Sequence, residues 1–239
     1  MTTNEVLDQV QEGELSPGTW IEDCDLSGAP LQGIRFRNVV LRNIRLDSAD
    51  LTKAEFLGCR FEKVTLFGAN LQGSRWEGGV FREIDLSGAD LHEAHLCDLF
   101  LQGVRLDRAI CRYSRWENCK LREALLAGAD FRAAYLKRVD LSEARLEGTL
   151  WWGAQLETID FTKASLEDAK KFPHGSPGLR LRGANLAGLD LSEVKWAGQD
   201  LREVNLRGCR LPEADLSEAN LCGANLLGAD LTGANLSQA

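Results

Sequence analysis

The chain has 239 residues, 44% of them apolar, and a formal net charge of −8, enough for one or two globular domains. Its 36 acidic residues outnumber 28 basic ones, which argues against direct binding to nucleic acid, since that needs a basic stripe. No stretch of about 18 apolar residues and no basic-then-apolar leader is visible, so the chain is expected to be cytoplasmic and free of the membrane.

Residues 1–18 read as a short N-terminal helical cap. Thr2 and Glu5 fit a capping box, Val6, Leu7 and Val10 form one apolar stripe, and Gly13 is a stop. Ser16-Pro17-Gly18 is a turn. A cap suits a stacked repeat, which leaves an unpaired edge at its end.

From residue 19 a five-residue beat takes over. Between Leu26 and Leu166, 29 positions spaced by five hold 19 Leu, six Phe, three Trp and Cys111. Twelve more run from Leu181 to Leu236, eleven of them Leu and one Trp196. Two residues before most of these stands a small or β-branched residue, as at Ala69, Ser74 and Ala89. A period of five fits neither a helix nor a flat alternating strand. It fits a chain that turns a corner every five residues with one large side chain inward per side. Four sides make a twenty-residue square coil, and coils stack at about 4.8 Å. Forty-one inward positions give about ten coils, a rod of roughly 50 Å. Each buried Leu or Phe contributes about 1.5–3 kcal/mol before entropy, so neither metal nor cofactor is expected.

Ala49-Asp50-Leu51, Ala69-Asn70-Leu71, Ala129-Asp130-Phe131, Ala184-Asn185-Leu186 and Ala229-Asp230-Leu231 are the unit in plain form. The pattern resembles the pentapeptide-repeat family over residues 19–239. The resemblance implies an all-β fold, a right-handed quadrilateral β-helix. It also implies that one fold serves several roles, among them binding of type II topoisomerases by quinolone-resistance members, which are dimers joined through their C-terminal ends.

The first block of repeats spans 19–170. A loop at 171–180 then breaks the beat: Lys171 and Ser176 stand where large apolar residues are due, amid two Pro and two Gly. The count is in phase on both sides, so the loop replaces two sides of one coil. Residues 181–239 form the second block, in which Asn185, Asn205 and Asn225 recur twenty apart. No C-terminal cap is visible, and an open edge invites pairing. Leu226, Leu231 and Leu236 are therefore assigned to a homodimer through the C-terminal coils.

Residues twenty apart share a face. The columns Arg35, Glu55, Arg75, His95, Arg115 and Arg42, Glu62, Arg82, Gln102, Arg122 mix charges, unlike the continuous acidic face of a DNA mimic. Ile110, Leu150 and Trp152 fall at outward positions on one face, beside Arg112, Tyr113 and Arg132, and the 171–180 loop starts one coil further on. Trp, Tyr and Arg around apolar residues is the composition of a binding hot spot. With Phe172 and His174 of the loop, these residues form the candidate protein-binding site. Phe100, Val80 and Val40 make a second, weaker apolar column.

Catalysis finds little support. His92, His95 and Cys97 lack a fourth ligand, and no nucleophile elbow, phosphate loop or HExxH is present. The seven Cys fall mostly at inward positions and read as reduced, structural thiols. The leading expectation is a non-catalytic interaction scaffold with a protein partner. The alternatives are DNA-mimic-like binding of DNA gyrase or topoisomerase IV, an adaptor in a bacterial secretion or regulatory assembly, and a purely structural spacer.

Overall fold

The computed structural model describes residues 5, 6 and 17–239. Of the expected N-terminal cap, Glu5 and Val6 are helical and Val6 is completely buried. Thr2, Leu7, Val10 and Gly13 lie outside the described residues.

The described residues are otherwise an all-β, right-handed parallel solenoid. Nine strands are defined: β1 (Trp20–Glu22), β2 (Arg35–Arg37), β3 (Val40–Arg45), β4 (Glu55–Thr65), β5 (Arg75–Asp85), β6 (His95–Phe100), β7 (Arg115–Glu117), β8 (Tyr135–Lys137) and β9 (Gln155–Glu157). Every pairing is parallel and offset by twenty residues, as in Phe56↔Trp76 and Trp76↔Leu96. The expected ten coils are not matched as such. The strand ladder from Arg35 to Gln155 makes about seven turns, and isolated bridges carry the stacking on to Asn235.

The corners explain the motif residue by residue. The large residue's carbonyl accepts from the amide three residues on, as in Ala49 N–H to Leu46 O at 3.1 Å, and the residue between them at the third position has positive φ (Ser48, +56°). That is the signature of a type II turn, where Gly or Asn is easiest. The Asp or Asn before the large residue faces outward but is not idle. Asp50 Oδ1 accepts from the Thr52 amide at 3.1 Å and its hydroxyl at 2.6 Å, and Asp140 does the same for Ser142. These bonds to the charged form hold Asp50 below the usual carboxylate range, the Thr52 hydroxyl being the largest cause.

The axis is filled without a break from Ile21 to Ala219. Phe36, Phe56 and Trp76 stack along it, with successive ring centroids 5.3 and 4.0 Å apart, and Phe131 stacks on Trp151 at 4.7 Å. The wide aromatic core leaves no room at Gly79. Its φ is +133°, and a Cβ there would sit 2.5 Å from the Cys59 carbonyl oxygen and 3.0 Å from the Phe81 ring.

The loop splits the stack. Leu150 pairs with Lys170 and Asp190 with Arg210, but Lys170 and Asp190 do not pair with each other; Arg180 and Asp200 likewise do not pair. Ser165, Asn185 and Asn205 remain in register on the other side. Across this joint Trp196 Nε1–H donates to the His174 carbonyl at 3.1 Å, one side-chain bond where a backbone ladder would run.

Candidate functional site

The candidate patch is built by the ladder itself. Ile110, Asp130 and Leu150 bridge in one column, so the residues two beyond each, Arg112, Arg132 and Trp152, rise side by side from successive corners. Trp152 is 68% exposed, Tyr113 61% and Ile110 37%, whereas Leu150 is half-buried. Tyr113 and Trp152 rim a shallow depression of about 410 Å³ lined by Arg112, Tyr113, Arg132, Ala133, Trp152 and Gly153. Its floor is open because Ala133 and Gly153 carry little or no side chain.

A buried carboxylate organises the patch. Asp130 accepts from Arg112 Nε at 2.6 Å and from Arg132 Nε and Nη2 at 2.9 and 2.8 Å, and it also takes the Arg132 amide at 3.1 Å. Asp130 is 6% exposed. Sequence reasoning passes over it as one more corner carboxylate. The signal is the pair of arginines at its +2 and −18 positions, neighbours only once the twenty-residue coil is drawn. Lys171 also escapes sequence reasoning as a member of the patch. Its Nζ lies 5.8 Å from the centre of the Trp152 ring, a cation–π distance. Tyr113 in turn meets the His92 ring edge-on at 5.3 Å.

Phe172 and His174 separate from this patch. Phe172 does not present itself to a partner: it is buried, 5.5 Å from the Phe161 ring and 6.3 Å from Trp151. The reason is a one-residue delay. Lys171 adopts φ +54° at the place due for a large side chain, and Phe172 takes the inward position instead. His174 is half-buried over a cavity of about 450 Å³ at the split joint, with Lys171, Phe172, Leu189 and Asp190. Its Nδ1 is buried without a hydrogen-bond partner. Burial pushes the imidazole below its ordinary value, opposed by the Asp190 charge.

At the C-terminal end Leu226 and Leu231 are half-buried and Leu236 is 40% exposed, with Leu227 standing fully outward beside them. Phe100 and Trp20 are exposed on one column with Val40 and Val80. The charge ladders pair internally, as Arg42 with Glu22 and Glu62 at 3.6 and 3.3 Å, and such exposed pairs contribute about 0–1 kcal/mol each. Among the described residues no group of three or more His, Cys, Asp or Glu is arranged to hold a metal, and no helix is long and apolar enough to cross a membrane. Burial pushes the Cys59 thiol up to about 11 and Cys119 up to about 12, away from nucleophilic thiolates.

The family model for pentapeptide repeats matches eight copies between residues 21 and 238, leaving only short gaps such as 171–179. The chain belongs to the pentapeptide-repeat family. Among solved pentapeptide-repeat structures it is similar to HetL, involved in heterocyst differentiation regulation in the cyanobacterium Nostoc sp. strain PCC 7120. Identity is 23% over 99% of this chain and 97% of that one, with a TM-score of 0.38. It is also similar to QnrB1, a plasmid-mediated fluoroquinolone resistance protein, at 19% identity over 94% and 93% of the two chains, with a TM-score of 0.42. A third is Rfr23 from the cyanobacterium Cyanothece 51142, at 19% identity over 59% of this chain and 90% of that one, with a TM-score of 0.25. A comparison with curated proteins finds no match.

Proposed function

We propose that this pentapeptide-repeat protein is a non-catalytic scaffold that presents the Trp152 patch to a protein partner. The carrying observation is that Trp152, Tyr113 and Ile110 stand exposed together around two arginines held by a single buried carboxylate. A preorganised arginine next to a rigid aromatic loses little entropy on binding. The continuous core behind them fixes their spacing. The C-terminal coils carry a second role in this reading: Leu226, Leu231 and Leu236 offer apolar surface that a second copy can cover.

The topoisomerase reading asks for a long acidic face, and the alternating ladders do not supply one. The test compares wild type with Trp152→Ala, using affinity capture from a lysate with identification of the bound protein, alongside gyrase supercoiling in the presence of a quinolone. A single partner lost with Trp152→Ala, and gyrase unaffected, supports the scaffold reading. Protection of gyrase by both proteins would replace it with the topoisomerase reading. Light scattering of Leu231→Glu against wild type tests the dimer.

A further inference from the structure

We infer that the Trp152 patch takes an acidic segment of its partner: an extended peptide that lays one large apolar side chain on Trp152 and Tyr113 and sets its carboxylates on Arg112 and Arg132. This rests on the reading of the patch as the docking surface and adds the chemistry of what docks there.

Charge and unused donors point to this ligand. Two guanidiniums share one carboxylate, so the clamp keeps a net positive charge on a chain whose total is −8. Asp130 is saturated by its four donors. Arg112 engages it through Nε alone, and among the described residues its terminal nitrogens meet no acceptor; Arg132 leaves Nη1 in the same state. Both side chains are 43% exposed, so these donors face solvent from a fixed base. Lys171 adds a third cation over Trp152. Of the carboxylates around the cluster, Asp90 accepts from the Gln72 side chain at 2.7 Å and the His92 amide at 3.0 Å, Glu93 lies 3.5 Å from His92 and Asp168 3.8 Å from Lys170, while Asp190 acts on Lys171. A planar guanidinium fork with open terminal donors matches a carboxylate in two-point geometry. The floor between Tyr113 and Trp152, reduced to Ala133 and Gly153, leaves room for one inserted side chain. A nucleic acid would need a long run of cations, and this cluster holds only three over four successive coils.

Random decapeptides displayed on phage are selected on the intact protein and on Trp152→Ala and Arg112→Gln. The second variant leaves Asp130 held by Arg132, so the fold is not at stake. Sequences with two or more Asp or Glu flanking Trp, Phe or Leu are expected on wild type and lost on Trp152→Ala. The best of them should bind Arg112→Gln about fivefold or more weakly, and wild type more weakly as salt rises. Enrichment of basic or uncharged peptides at Trp152 would overturn the inference while leaving the scaffold reading in place. A dT20 oligonucleotide binding at the same patch would overturn the inference and the protein-partner reading together. Acidic peptides that bind independently of Trp152 would overturn both.

Discussion

Trp116 and Ser114 are joined inside the core: the indole Nε1–H donates to Ser114 Oγ at 2.8 Å, and that hydroxyl donates to the Cys111 carbonyl at 2.6 Å. The Trp76 indole N–H likewise donates to Ser74 Oγ at 2.8 Å, and Trp151 to Thr149 Oγ1, which passes on to the Leu146 carbonyl. From Cys24 onward these three are the hydroxyl residues at the small inward position, and each stands two before a Trp. An inward indole brings a buried N–H, and the repeat answers it one side chain away.

Ser114→Ala should therefore destabilise by about 1–3 kcal/mol, the penalty of leaving a buried donor unpaired. Ser114→Ala with Trp116→Leu should cost less than the sum of the two single changes, because the orphaned donor is gone. Denaturant midpoints of the four proteins close the cycle. Equal and additive losses would mean the bond carries nothing.

Trp196 breaks that rule, since Val194 precedes it, and its N–H goes to the His174 carbonyl across the split joint. Trp196→Phe should loosen the joint locally. Amide exchange should rise in 172–178 and stay slow in the stack of residues 40–100.

His174 makes the same joint sensitive to pH. Its folded value lies below its ordinary 6.5 because the imidazole is desolvated. The unfolded chain then binds the proton more readily, so stability is full above about pH 6.5 and declines as pH falls through it. Asp190, itself held low by Ser192, faces His174 and limits the effect, and Lys171 also acts on Asp190. Thermal midpoints should drop between pH 7.5 and 5.5 in wild type, and less so in His174→Gln. The lowered carboxylates titrate further down and do not cross this window.

Phe172 is core, so Phe172→Ala should cost about 3–5 kcal/mol. Phe67, 58% exposed, should tolerate the same change within about 0.5 kcal/mol. Chemical denaturation of the two variants decides whether Phe172 packs or docks.

Thiol labelling with iodoacetamide at pH 8 should modify Cys222, which is exposed, while the buried Cys24, Cys59, Cys111, Cys119 and Cys209 react only on unfolding. Cys97 should lag behind Cys222, because desolvation and the neighbouring Asp98 push its thiol up to about 11. Intact mass over time counts the adducts. Rapid reaction of Cys59 or Cys119 would mean an open core.

The solenoid was legible residue by residue, because each Leu or Phe of the five-residue beat stacks on the residues twenty before and twenty after it and packs across the axis against its own coil. The same local rule places Ile110, Tyr113 and Trp152 outward on one face from their numbers alone. What the numbering could not carry was anything that departs from the rule by one residue or joins two coils through side chains. Lys171 in a left-handed conformation moves Phe172 into the axis. Asp130 becomes the base of the patch only when Arg112, eighteen residues earlier, lies against it. Hydrophobic periodicity decides which side chains are inside. Hydrogen-bond geometry between adjacent coils decides which polar groups are held and which remain free to bind.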